Sequence, residues 1–391
     1  MKRRDLTVLA AGMAVSTAGD AAALVALLLR LQPHGSGWVA GLLAAELIPY
    51  VVLAPLTGRV VDRLETRTVL LVALAGQAVL CVPLAFASPL WAIIALFAGV
   101  TALSAFVRPA TSALVPAITG EERAKQGYSM LATGSGLGWI AGPAAGGLLT
   151  GAFGPTTAIL VDAGTFAALT LACATLSARR RASATASTKE SNAGGLRLIF
   201  ADRLLRTALI GSAIAISSGI IDNVAAPFRF VDQLGASDFG YGLYLTLWGA
   251  GALVGAQVLP RLPLSGSAGL ALGNLLTGAG IAGIGLAPNL ALAFTASALG
   301  GIGNGMANVA QSALISGRTP PAQHGRAFAA AGALLQTAIG LGTAAASPLV
   351  AYLHADGAML TAGVLTCAAS AIALALTRRD EPEERPATET P

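Results

Sequence analysis

Apolar residues along the chain gather into twelve runs, separated by short stretches rich in Gly, Pro and charge. The runs lie at about 6–30, 37–57, 68–88, 90–117, 128–150, 155–177, 207–230, 240–260, 268–287, 289–316, 325–350 and 356–377. Each reaches the roughly 20 residues that a helix needs to cross a hydrocarbon core of about 30 Å. The apolar positions do not alternate with polar ones over half that length, as strands of a membrane barrel would. With no water to satisfy backbone groups inside a bilayer, such runs form helices. The pattern predicts an all-α integral membrane protein with twelve transmembrane helices. The first run follows a basic start, MKRRD, as in a signal peptide, but its apolar pattern continues to Leu29, longer than a signal core. It reads as the first span.

Composition agrees with this reading. Of the 391 residues, 55% are hydrophobic and 11% charged, against about 25% charged in a soluble domain. Mean hydropathy is +0.72. If the amino terminus is cytoplasmic, all 24 Lys and Arg except Arg30, Arg108 and Arg229 fall in cytoplasmic segments, the asymmetry expected of a multi-pass membrane protein. Both termini are therefore expected inside, in the cell membrane. The basic balance, pI about 9.4, is accounted for by these loops, which face anionic lipid, and it does not indicate nucleic-acid binding. Cys81, Cys173 and Cys367 sit in different spans without metal spacing, and read as small buried residues.

The stretch RRRASATASTKESNAGG between spans 6 and 7 is polar and rich in small residues, and EPEERPATETP ends the chain. Neither can bury a core. They divide the chain into an N-terminal six-helix half (1–177), a cytoplasmic linker (178–206), a C-terminal six-helix half (207–377) and a tail (378–391). Two equal six-helix halves suit a transporter whose halves rock about a central site.

Two motifs sharpen this. GRVVDRLETR, at 58–67 between spans 2 and 3, concentrates charge in an apolar chain, with Gly58, Asp62, Arg63 and Arg67 at set spacing. Span 5 carries GLGWIAGPAAGGLL, with Gly138, Gly142, Pro143, Gly146 and Gly147; glycines four apart admit a close neighbouring helix, and the proline removes a helix hydrogen bond. Together these resemble the loop motif and the antiporter motif of the major facilitator superfamily, departing from the first at Glu65 and Thr66. AGD at 18–20, RPATSALVP at 108–116 and VDAGTF at 161–166 are similar to its proton-coupled exporters of drugs and siderophores. The resemblance implies two pseudo-symmetric halves, spans 1, 4, 7 and 10 lining a cavity, and a conformational latch in which Asp62 pairs with Arg67 when the cytoplasmic side closes.

Four carboxylates fall within spans: Asp20, Glu46, Asp162 and Asp222. Ionisable groups in a membrane are costly and read as functional by default. Asp20, then Glu46, then Asp222 are the proton-coupling candidates. Asp162 reads as a packing residue, and helix packing is also open for Asp20. Asp222, close to Pro227, is open to a role in satisfying backbone freed by that proline. Arg108 in span 4 and the stripe Asn304, Asn308 and Gln311 on one face of span 10 are substrate-cavity candidates. Their alternatives are a snorkelling arginine and hydrogen bonds between helices. By helix rise Arg108 falls near the inner end of its span, apart from all four carboxylates, and Pro109 beside it predicts a shaped local turn.

No phosphate-binding loop, metal-ligand cluster or meeting nucleophile and base occurs in the sequence. The expectation is a non-enzyme without cofactor or metal, monomeric, whose partners are a small-molecule substrate, protons and the bilayer. It would export a small amphipathic compound, a drug, secondary metabolite or siderophore, by proton antiport and alternating access. A uniporter, an importer or a non-transporting receptor are the alternatives.

Overall fold

The computed structural model describes residues 3–176 and 192–377. Part of the expected linker and all of the expected tail lie outside the described residues. The described chain is helical almost throughout, with no strand among the described residues. Its first half comprises α1 (Arg3–Leu31), α2 (Ser36–Arg63), α3 (Thr66–Phe86), α4 (Leu90–Thr119), α5 (Ala124–Phe153) and α6 (Pro155–Ala174). A short helix, α7 (Asn192–Ala201), precedes the second half.

There, α8 (Arg203–Gly219), α9 (Ile221–Pro227) and a π-helical segment over Phe228–Gln233 run on as one span. Then follow α10 (Asp238–Val258), α11 (Gly266–Leu286), α12 (Leu290–Arg318) and α13 (His324–Thr377). Helix α13 is broken at His354, with φ 58° and ψ 175°, and so makes two spans. Ten helical stretches among the described residues are long and apolar enough to cross a membrane. Splitting α13 and including the glycine-rich 30-residue α5 gives the expected twelve. Large apolar side chains on the surface of the bundle, such as Val79, Trp91 and Leu171, are more than 60% exposed, which suits lipid as the surrounding solvent.

The halves repeat each other closely. Helices α3 and α11 start at Thr66 and Gly266, α4 and α12 at Leu90 and Leu290, α5 and α13 at Ala124 and His324, each pair 200 residues apart. The turn between spans 5 and 6 is made by Gly154 at φ 83°, and its counterpart between spans 11 and 12 by His354. The arginines left outside by the charge count are also counterparts. Arg30 donates to the Ala85 and Ala87 carbonyls at the end of α3; Arg229 donates to the Ile284 and Ala287 carbonyls at the end of α11. Each guanidinium meets the orphan carbonyls and negative pole of a helix C-terminus.

We call the end where α1 begins basal and the opposite end distal. Hydrogen bonds join the halves distally: Gln32 to Asp232 at 2.6 Å, and Ser36 to Ser347 at 3.1 Å. On the other side of the bundle, the Thr246 hydroxyl donates to the Ile140 carbonyl at 2.8 Å and accepts from the Ala144 amide. This distal closure depends on small residues: the α-carbons of Gly147 and Gly242 rest directly on the backbone of Asp238 and Pro143. At the basal end, α7 seats Gly195 against the Arg326 carbonyl, and Asp202 caps α8 and pairs with Arg318 at 3.4 Å. Thus the described part of the stretch read as a linker is helical and docked.

Candidate transport site

Helices α1 to α6 enclose two adjoining cavities. The smaller, of about 80 Å³, is walled by Asp20 from α1, Glu46 from α2, Cys81 from α3, Ser104 from α4, Trp139 from α5 and Asp162 from α6. The larger, of about 590 Å³, extends basally from Asp20 past Arg108, Thr111 and Ser112 to Tyr128. Asp20, Tyr50, Ser104 and Trp139 line both. Asp20 therefore stands at the partition, with the other carboxylates on one side and the arginine on the other.

Asp162 belongs to this site, although its outer span read as packing only. It is 3% exposed. Its carboxylate receives the Thr165 hydroxyl at 3.2 Å, and the Cys81 thiol lies 4.0 Å away. A Cβ on Gly19 would sit 2.5 Å from Asp162 Oδ1, so the glycine in AGD is what lets an α6 carboxylate reach α1. That neighbouring glycine was the available sequence signal.

Arg108 is exposed within α4 and lines the larger cavity. The helix runs unbroken through Pro109 and Pro116, so the expected local turn at Pro109 does not form. Arg108 shares a cavity with Asp20, although helix rise alone set it apart from all the carboxylates. Two buried polar atoms in the walls of this cavity, Gln77 Oε1 and Thr111 Oγ1, have no partner among the described residues. Such groups are costly to leave unsatisfied and are ready contacts for a polar ligand.

The second half places its candidates differently. Asp222 is 3% exposed and accepts the Tyr244 hydroxyl at 2.6 Å. It is thus held by a side chain of the next span rather than by backbone freed at Pro227. The chain beyond Pro227 closes its own hydrogen bonds in the wider π pattern, Leu234 N–H to the Arg229 carbonyl among them. Asn304 shares a pocket with Asp222. Asn308 instead donates along its own helix to Asn304 and is exposed. Gln311, partly buried, lies further along the same stripe. The stripe does not act as one unit.

The charged motif is not the open loop it resembled. Gly58 to Arg63 forms the last turns of α2, leaving Leu64 and Glu65 between helices. Gly58 has open space around it and Arg63 is exposed, while the Asp62 side chain lies outside the description. Arg67 donates to the Cys173 and Ala174 carbonyls at the end of α6. In the span-5 motif, one face packs on α1: a Cβ on Gly138 would lie 2.5 Å from the Ala14 carbonyl oxygen, and one on Gly146 2.5 Å from the Ala22 α-carbon. The face with Pro143 and Gly147 meets α10 of the other half.

A twelve-span bundle of two repeated halves, with polar cavities inside it, defines a membrane transporter. The family model of the Major Facilitator Superfamily matches residues 6–267 and 212–391, and the chain belongs to that superfamily. It is 26% identical over 383 residues to the MFS-type transporter YfiS of Bacillus subtilis (strain 168), covering 93% of this chain and 91% of that one. It is 27% identical over 394 residues to the multidrug efflux pump Tap of Mycolicibacterium fortuitum, covering 95% and 96%. Among solved structures, the nucleoside transporter NupG superposes with a TM-score of 0.77 at 13% identity, covering 97% of this chain and 100% of that one, a likeness of fold.

Proposed function

We propose that this transporter exports a small amphipathic organic compound in exchange for protons. The observation that carries the reading is the position of Asp20. It lines both the enclosed carboxylate cavity and the larger cavity around Arg108, so a proton on one side and a substrate on the other contend for one group. A carboxylate shielded from water can load a proton on one face of the membrane and release it on the other. Glu46 and Asp162 share the enclosed cavity and pass the proton to and from Asp20.

The basal end, which holds most of the Lys and Arg among the described residues, is cytoplasmic in this reading. The larger cavity then takes up substrate from inside, with Arg108, Gln77 and Thr111 as polar contacts and Trp139, Tyr128 and Phe166 as apolar ones. Closure of the basal end would bring Asp62 and Arg67 together as the latch that the motif implies. The multidrug efflux pump Tap, alike along nearly its whole length, supports export over import.

The test is efflux from proteoliposomes under an imposed proton gradient. Transport should follow the gradient and fall at least about tenfold, some 1.4 kcal/mol in the barrier, in Asp20→Asn combined with Glu46→Gln. Transport that ignores the gradient, or persists in the double variant, refutes the coupling.

A further inference from the structure

A pocket of about 200 Å³ opens between α8, α9, α10, α11, α12 and α13, wholly within the second half. Among the described residues, Asp222 is its one charged wall, and no Lys, Arg or His lines it. One carboxylate oxygen, Oδ2, is held by the Tyr244 hydroxyl. The other, Oδ1, is buried without any partner. Among the neighbouring polar groups, the Asn274 amide donates to Ser212 Oγ, the Thr277 hydroxyl to the Gly273 carbonyl and the Thr366 hydroxyl to the Ala215 and Ala362 carbonyls. A buried acceptor with no donor is a costly arrangement that a ligand bearing N–H groups would relieve.

The rest of the pocket favours a cation with an apolar body. Trp248 lines it, and an indole face attracts an ammonium group. Leu245 and Ile281 supply apolar surface, and the Asn304 side chain a further polar contact. Tyr244 is fixed in turn, its ring stacked on Phe230 at 4.4 Å between centroids, so the free oxygen is held in one direction. The larger first-half cavity, by contrast, sets Arg108 in the same wall as Asp20.

We infer that this second-half pocket is a binding subsite for the protonated amino group of an organic ligand, which donates N–H to Asp222 Oδ1 and lies against the face of Trp248. As a substrate subsite it rests on the export reading, but the binding itself can be measured without transport.

The test uses the full chain in lipid nanodiscs, with 2-phenylethylammonium as probe and 2-phenylethanol as its neutral counterpart, compared by calorimetry. The ammonium should bind at least roughly tenfold more tightly than the alcohol. Asp222→Asn should erase that preference, and Trp248→Leu should weaken the ammonium more than the alcohol. Equal binding of the two probes, absence of binding by either, or a preference that survives Asp222→Asn overturns the subsite. If Asp222→Asn does not fold, the Trp248→Leu comparison decides in the same terms. Gradient-independent transport with intact ammonium preference would sink proton-driven export alone; gradient-driven transport without that preference would sink the subsite alone.

Discussion

Arg30 and Arg229 are the arginines that the charge count leaves on the distal side, and each closes the end of a neighbouring helix. A charged donor on orphan helix carbonyls contributes about 1.5–3 kcal/mol net, so Arg229→Gln should lower the unfolding midpoint of the purified protein by several degrees in thermal scans. An unchanged midpoint would show the cap to be idle. Their pairing could not be read from the sequence, because a cap is a contact over 55 residues or more of chain. Asp20 and Glu46 were legible, since a carboxylate in an apolar run is conspicuous wherever it falls. Asp162 is just as conspicuous but reads as packing, because its place in the cavity wall depends on Gly19 of another helix leaving room for it. Asp222 was legible as a charge, whereas the tyrosine that holds it was not.

Among the helices, α5 shows how spacing becomes geometry. Its glycines admit α1 on one face, where a Cβ on Gly146 would lie 2.5 Å from the Ala22 α-carbon, whereas Gly136 has nothing within 4 Å of a built Cβ. Gly146→Val should therefore cost about 1–3 kcal/mol or more by overpacking, measured as a loss of folded yield and thermal stability, while Gly136→Ala should be neutral. Equal effects at the two positions would contradict this packing. The turn at His354 holds a non-glycine residue in a region used almost only by glycine, where its counterpart in the first half has Gly154. Such a conformation costs about 1–3 kcal/mol. His354→Gly should raise the unfolding midpoint, and a fall would show that the imidazole contributes more than the backbone loses. The twelve spans were legible because a spanning run announces itself by length. The break at His354 falls in the gap between the last two runs, 325–350 and 356–377, whereas the π-helical segment after Pro227 and the docked α7 were not legible, since each is settled by neighbours in the bundle.

At the scale of the whole molecule, the halves meet distally and leave the larger cavity toward the basal end. Gln32 and Asp232 touch across this closure at 2.6 Å. A disulfide between Gln32→Cys and Asp232→Cys should hold the distal side shut and stop transport until it is reduced. If the cross-linked protein turned over normally, distal opening would not be part of the cycle. Asp62→Asn should slow basal closure and so lower turnover without abolishing substrate binding, since its helix turn lies outside both first-half cavities. The equal halves were visible in the sequence as lengths alone; the 200-residue offset between the starts of α3 and α11, α4 and α12, and α5 and α13, and the partition of the first-half site at Asp20, needed the helices in place. The central claim is that Asp20 joins proton and substrate movement, and proton flux measured alongside efflux in proteoliposomes tests it most directly. The account predicts that substrate export carries protons the opposite way, and that Asp20→Asn abolishes both fluxes together. Undiminished export against a gradient by Asp20→Asn, or export with no accompanying proton flux, would contradict it.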